Sequence, residues 1–199
     1  VALIKILHAI NSAKNLNLSL FLAHLNHQLR GKSSEEDAQF VQNLSEDLSL
    51  PFLLKSVDIQ KIADQTKRSI EETARRERYK FFMESAQKHN TSAVAIGHTA
   101  DDNTETILHR ILRGTGTLGL GGIPIKRPLV SGSAIQLIRP LLFTWRKEII
   151  EYLREKQFTY RTDASNYEPI YLRNKIRLEL IPLLENQYNP NIKNLLIQL

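Results

Sequence analysis

Apolar positions along the chain recur first at helical spacing and then in short solid runs, and the alternation repeats. Residues 1–13 predict an amphipathic helix, and the run Leu18 to Leu25 predicts a strand. Glu35 to Asp47 predicts a second helix with Phe40, Val41, Leu44 and Leu48 along one side, after which Pro51 opens a second strand through Val57. Ser69 stands as the N-cap of a helix over 70–89, with Glu72 at its third position as in a capping box, and the face of that helix carries Ala74, Arg78, Phe81 and Phe82. Ala93 to Ile96 is a third strand and leads into a helical pattern that ends at Arg113-Gly114. Farther on, Ile135 to Leu142 reads as a strand stopped by Pro140, and Thr144 as the cap of a helix over 145–157. Strands alternating with helices predict an α/β fold, a mostly parallel sheet with helices on both faces.

Between these elements, residues 114–122 hold five glycines, a loop able to expose backbone N–H groups or to pass close to a ligand. Its spacing matches neither a Walker loop nor a dinucleotide fingerprint, so a plain connector before an edge hairpin is an equal reading. The first ten residues are apolar but contain Lys5 and His8 and are too short to span a bilayer, which predicts neither export nor membrane insertion.

Composition narrows the classes. The 199 residues suit one globular domain, and the lack of cysteine removes disulfides, thiol catalysis and thiolate metal sites from this stretch, consistent with a reducing, cytoplasmic setting. The net charge of +6 is uneven: residues 1–109 hold 13 Lys or Arg against 14 Asp or Glu, whereas residues 110–199 hold 14 against 7. A polyanionic partner, if there is one, meets the second half.

The richest chemistry lies where the third strand becomes a helix, at Gly97-His98-Thr99-Ala100-Asp101-Asp102-Asn103-Thr104-Glu105. Such a junction is the usual place for ligands in an open α/β sheet. Carboxylates also favour helix starts for their capping value, so a well-capped surface helix is the competing reading. Capping uses one or two acids, however, and Asp102 and Glu105 share a face with His98 one turn before. That convergence suits a divalent metal, an attacking amine or a base. A second dense patch holds Asp163-Ala164-Ser165-Asn166 and then Arg173-Asn174-Lys175-Ile176-Arg177. Arg173 and Arg177, one turn apart, can present paired guanidinium forks to phosphate; alternatively Asp163 and Arg173 pair with each other and pin the segment to the core.

The 97–106 run, with Arg113-Gly114-Thr115-Gly116 after it, resembles the hallmark of the tRNA(Ile)-lysidine synthetases of the PP-loop ATP-pyrophosphatase superfamily. Four further stretches agree in order: His24-Leu25-Asn26-His27-Gln28-Leu29-Arg30, Glu71 to Tyr79, Arg139-Pro140-Leu141-Leu142, and the late patch just described. One departure stands out. The superfamily's Ser-Gly-Gly-x-Asp-Ser loop is absent, and the expectation is that it and the first strand lie upstream of Val1. Residues 1–185 are then the PP-loop domain, with its adenine nucleotide alpha hydrolase-like fold, and 186–199 the start of a small C-terminal helical extension that is cut short.

The resemblance implies a two-step reaction. ATP, with Mg²⁺, adenylates the C2 oxygen of the wobble cytidine in the CAU anticodon of tRNA(Ile), and the amine of free L-lysine then displaces AMP. It implies catalytic roles for Asp102 and Glu105, which would hold the lysine ammonium and receive protons, for Asp101 as helix cap or metal ligand, and for Arg173 on phosphate. The nucleotide falls to Leu25, Asn26, His27, Arg78, His98 and Arg113, with Arg30 flanking it; Arg113, Lys126, Arg127 and Arg177 are also candidates for tRNA backbone contacts. A homodimer stays open. A tRNA 2-thiolase is the nearest rival, although relatives of that kind use cysteines; a silent RNA-binding module would explain the basic bias but not the three carboxylates.

Overall fold

The structure, a computed structural model, describes residues 1–161 and 172–199. Its Cα positions group into two compact units, Val1–Val94 with Pro128–Leu137, and Ala95–Arg127 with Ile138–Leu199.

In the first unit, helix α1 (Ala2–Ala13) precedes strand β1 (Leu22–Asn26), helix α2 (Lys32–Asp47) and strand β2 (Phe52–Ser56). The two strands pair in parallel, from Leu22 opposite Phe52 to Asn26 opposite Ser56, with α2 as the crossover. Leu22, Leu25, Ala38 and Leu44 are buried where helix and strands meet. The strand begins four residues later than its apolar run. Leu18 donates its N–H to Asn11 Oδ1 and accepts from Asn11 Nδ2, both at 2.9 Å, so one amide satisfies the backbone that a ladder would otherwise serve. Helix α2 starts three residues earlier than its apolar stripe suggests.

Helix α3 (Ile59–Thr66), which the sequence pattern did not mark, is capped by Asp58, whose carboxylate accepts from the Lys61 N–H at 2.9 Å. Lys67, in the left-handed conformation, ends it. Helix α4 (Ile70–Lys88) begins at Ser69 as expected, with the hydroxyl accepting from the Glu72 N–H at 3.2 Å. The Glu72 carboxylate pairs with Arg68 at 3.3 Å.

Three short strands, β3 (Ala93–Ala95), β4 (Lys126–Pro128) and β5 (Gln136–Ile138), form a sheet in the order β3-β5-β4. Gln136 donates to the Ser92 carbonyl and Ile96 to that of Ile138, indices rising together, so β3 and β5 run parallel. Leu129 bonds to Ile135 and Arg139 to Ile125, indices running opposite, which makes β4 and β5 an antiparallel hairpin. The strand expected to reach Leu142 stops before Arg139-Pro140. Parallel pairs thus dominate a mixed α/β fold with a C-terminal helical extension.

Within the second unit, helix α5 (Ala100–Leu112) is followed by the single turn α6 (Thr117–Leu120), helix α7 (Arg146–Glu155), and a C-terminal group: α8 (Leu172–Lys175), a π-helical turn (Ile176–Leu180), α9 (Ile181–Gln187) and α10 (Ile192–Leu196). Ile107 and Leu108 of α5 share an apolar cluster with Ile176, Ile181 and Leu196. In the π turn the Ile181 N–H reaches back five residues to the Ile176 carbonyl. The expectation that Thr144 caps α7 is corrected. Trp145 is the N-cap position, and the Glu148 carboxylate accepts its N–H at 2.7 Å, while the Thr144 carbonyl takes the Ala100 N–H. Glutamate has the reach to fold back on the chain before it, and Thr144 is already held by α5.

Candidate functional site

Chain direction places the acids. Thr99 is the N-cap of α5: its hydroxyl accepts from the Asp102 N–H, and Asp102 Oδ2 accepts from the Thr99 N–H at 2.8 Å and from its hydroxyl at 3.0 Å. This reciprocal box makes Asp102, rather than Asp101, the carboxylate that caps α5. Asp101 caps a different helix, since its Oδ2 accepts the Arg146 N–H at the start of α7 at 2.7 Å.

Glu105 is 1% exposed and nonetheless fully bonded. Arg177 grips it with Nε on Oε1 at 2.6 Å and Nη2 on Oε2 at 3.0 Å, while Arg173 donates Nε to Oε2 at 2.7 Å. The second fork of Arg173 reaches Asp102 Oδ1 at 2.8 Å. The Glu105 carboxylate bonded to it, more than the neighbouring acids, holds the Arg177 guanidinium above its ordinary pKa. Burying an unpaired carboxylate would cost several kcal/mol; charge-assisted bonds from two arginines offset that. Asp102, Glu105, Arg173 and Arg177 therefore form one network. The proposed partner Asp163, with Ala164, Ser165 and Asn166, lies outside the described residues.

Helix α5 also holds the glycine loop. Asn103 Oδ1 accepts from the Ile123 N–H at 2.6 Å, and Arg110 Nη1 donates to the carbonyls of Gly119 and Gly122 at 3.0 and 2.7 Å. Gly122, at φ +62°, passes so close that a Cβ there would sit 2.3 Å from Asn103 Oδ1. His98, just before α5, accepts at Nδ1 from Arg139 Nε at 2.9 Å. Sequence reasoning missed Arg139, Asn103 and Arg110 as site-forming residues. Arg139-Pro140 was visible as a motif, but no local rule says that an arginine beside proline is buried.

In the first unit the residues assigned to the nucleotide stand at the end of β1 and on α4. Leu25 and Asn26 are buried; Asn26 accepts from the Gln28 N–H at 2.9 Å through its side chain and from the Val57 N–H through its carbonyl. His27 Nε2 is buried and has no hydrogen-bond partner among the described residues. Burial, and then the charges of Arg78, His24 and Arg30, push its pKa down to about 4. Among the described residues no carboxylate pairs with Arg78, whose guanidinium is desolvated enough to lower its pKa. Arg30 instead pairs with Asp37 at 2.8 Å, and Arg75 lies 5.2 Å from the Tyr79 ring centroid. Arg113 and Lys126 are exposed. Among the described residues no group of three or more His, Asp or Glu side chains is arranged for a metal ion, and no helix is long and apolar enough to cross a membrane.

Known proteins bear on this arrangement. Proteins named tRNA(Ile)-lysidine synthase from Clostridioides difficile and Clostridium perfringens are 40% and 42% identical to this chain over 188 residues, 94% of its length. That of Geobacter sulfurreducens is 40% identical over 190 residues. The chain spans 38–39% of the length of these three relatives. Among solved structures, the U34-tRNA thiolase NcsA from Methanococcus maripaludis with its [4Fe-4S] cluster has the same fold, with a TM-score of 0.72 at 15% identity, covering 97% of this chain and 65% of that one. Residues 1–184 match the PP-loop domain family throughout, and the chain belongs to that family.

Proposed function

We propose that this domain serves an ATP-dependent tRNA(Ile)-lysidine synthetase. ATP transfers AMP to the C2 oxygen of the wobble cytidine of the CAU-anticodon tRNA(Ile), with loss of pyrophosphate. The amine of L-lysine then attacks C2; the C2–O bond breaks, AMP leaves, and the amine gives up its proton. The observation that carries the reading is the junction of Asp101, Asp102 and Glu105 with Arg173 and Arg177, in a chain about 40% identical to proteins of that name. Among the described residues the junction holds three carboxylates against two guanidiniums, an excess of negative charge that attracts a lysine ammonium of pKa near ~10.4. Asp102, 23% exposed at its side chain, is the acid an amine meets first. Glu105 becomes available when Arg173, 44% exposed, turns outward, and that motion frees a guanidinium for phosphate.

The His27 nitrogen and the Arg78 guanidinium, without a hydrogen-bond or carboxylate partner among the described residues, suit the polar edge and the phosphates of ATP, with Leu25 supplying apolar contact. Asp101 has one oxygen engaged by Arg146; a single carboxylate of this kind fits Mg²⁺, which takes one or two protein carboxylates and completes its shell with phosphate oxygens and water. When bound, the ion would neutralise charge on the departing pyrophosphate. Residues 1–185 act as the PP-loop domain and 186–199 begin a helical extension, in a cytoplasmic protein.

The test is direct. The full-length protein, ATP, Mg²⁺, labelled lysine and the CAU-anticodon tRNA(Ile) should yield covalently labelled tRNA with AMP and pyrophosphate. Adenylated tRNA that accepts sulfide but not lysine overturns this reading in favour of thiolation.

A further inference from the structure

The contact between Arg139 and His98 carries more than packing. Arg139 is 4% exposed, and among its contacts its N–H donates to the Ile125 carbonyl at 3.0 Å, Nη1 to the Pro124 carbonyl at 2.6 Å, and Nε to His98 Nδ1 at 2.9 Å. The parallel pairing of β3 with β5, through the Ile96 N–H and the Ile138 carbonyl at 3.0 Å, sets the two residues side by side. A guanidinium has five N–H donors, no acceptor, and stays charged at any physiological pH. Its Nε–H therefore requires a lone pair on His98 Nδ1. A proton at that nitrogen would set donor against donor and cation against cation. A flipped ring would leave the Arg139 Nε–H facing carbon, a buried donor without a partner.

We infer that Arg139 is a positioning residue that locks His98 as the neutral imidazole with its proton on Nε2, a fixed hydrogen-bond donor that does not serve as a general base. Histidine in metal sites and hydrolases is oriented by carboxylates or carbonyls, which accept at one nitrogen and leave the other basic. An arginine does the reverse, and the outer nitrogen can only give a hydrogen bond. The chemical class it serves is an anionic or carbonyl oxygen, such as a phosphoryl oxygen of a nucleotide. This last assignment rests on the proposed function; the tautomer does not.

The experiment reads the ring directly. Long-range ¹H–¹⁵N correlation spectra of the full-length protein with ¹⁵N-labelled histidine, assigned with His98→Gln, should show a pyridine-type Nδ1 and a pyrrole-type Nε2 at pH 7.5. Arg139→Met should give mixed tautomers, and Arg139→Lys, which also only donates, should restore the Nε2–H form. A pyrrole-type Nδ1 in the parent protein overturns the inference, as does an unchanged tautomer in a folded Arg139→Met variant. If that variant fails to fold, the parent spectrum with Arg139→Lys decides the matter alone. Adenylation kinetics form the second arm. His98→Gln keeps a donor but is no base, so it should retain at least about a tenth of the adenylation rate, whereas His98→Leu should lose about 100-fold. Equal rates for the two variants, with the tautomer as stated, would remove His98 from the nucleotide site and leave Arg139's role standing.

Discussion

Replacing Arg177 with Met tests whether Glu105 is held ionised inside the protein by its arginines. The substitution removes two of the three bonds to a carboxylate that is 1% exposed, leaving only Arg173, which is itself 44% exposed and half in water. Losing one partner of a buried ion pair costs about 3–5 kcal/mol, because the other charge remains without compensation. Glu105→Gln should cost less, about 1.5–3 kcal/mol, since both guanidiniums can turn to solvent and the amide oxygen still accepts a bond. The double variant Glu105→Gln/Arg177→Met contains no stranded charge, so its loss should fall short of the summed single losses by about 1.5–3 kcal/mol. Urea unfolding of the four proteins gives the four free energies, with a constant slope as the check on two-state behaviour. Effects that add to within about 0.5 kcal/mol would show that the two residues are not coupled, and the network would be a surface pairing of little weight.

Other consequences follow from single contacts. His27 ordinarily titrates near 6.5 and in the fold near 4, so the unfolded chain binds the proton first; stability should be complete above pH 6.5 and decline as pH falls toward 4, by about 1.5–3 kcal/mol after allowance for partial exposure. His27→Gln should flatten that slope in unfolding measurements across the window, and an unchanged slope would place the loss elsewhere. Gly122→Ala should destabilise by about 2–4 kcal/mol, since its φ of +62° disfavours a side chain and the Cβ displaces Asn103 from the Ile123 N–H; a normal thermal melt would contradict this. Arg78→Ala should weaken ATP binding by about 1.5–3 kcal/mol in calorimetry, while equal affinity would remove Arg78 from the nucleotide site. Asp102→Asn should slow lysine transfer more than adenylation, although it also weakens the α5 cap; equal slowing of both steps would indicate a structural effect alone.

Much of the architecture was legible because its signals are local. Ser69 ahead of a helical stripe is a decision made within one turn of chain, and the structure follows it; the start of α5 was legible too, but its cap is the Thr99–Asp102 pair and not Asp101. Helix α3 escaped because eight residues carry too little periodicity, even though Asp58 and the Ile59, Ile62, Ala63 spacing were there to read. Asn11 replaced the first part of a strand by a contact seven residues away, which no alternation of apolar residues reveals. For the site, the crowding of acids at residues 101–105 was visible, but their partners were not. Arg173 and Arg177 lie 68 and 72 residues beyond Glu105, and His98 finds Arg139 across 41. Pairings at that separation are set by strand order and helix packing, so the sequence displays the charges without showing which of them neutralise one another.

The π turn has a consequence for helical phase. In an α-helix residues five apart point about 140° away from one another, so Ile176 and Ile181 could not both face Ile107 and Leu108. The Ile181-to-Ile176 bond takes up one additional residue per turn and returns the two isoleucines to a common face. Deleting a single residue between 176 and 180 would close the segment to ordinary α-helical bonding and leave the two isoleucines four apart, about 40° from one another and still on one face. Inserting a residue that the helix does not take up as a wider turn would instead rotate everything downstream by about 100° and turn Ile181 and Leu184 away from the apolar cluster. The π turn therefore stores one residue without changing the phase of the helix that follows, and the segment should tolerate a deletion there better than a further insertion.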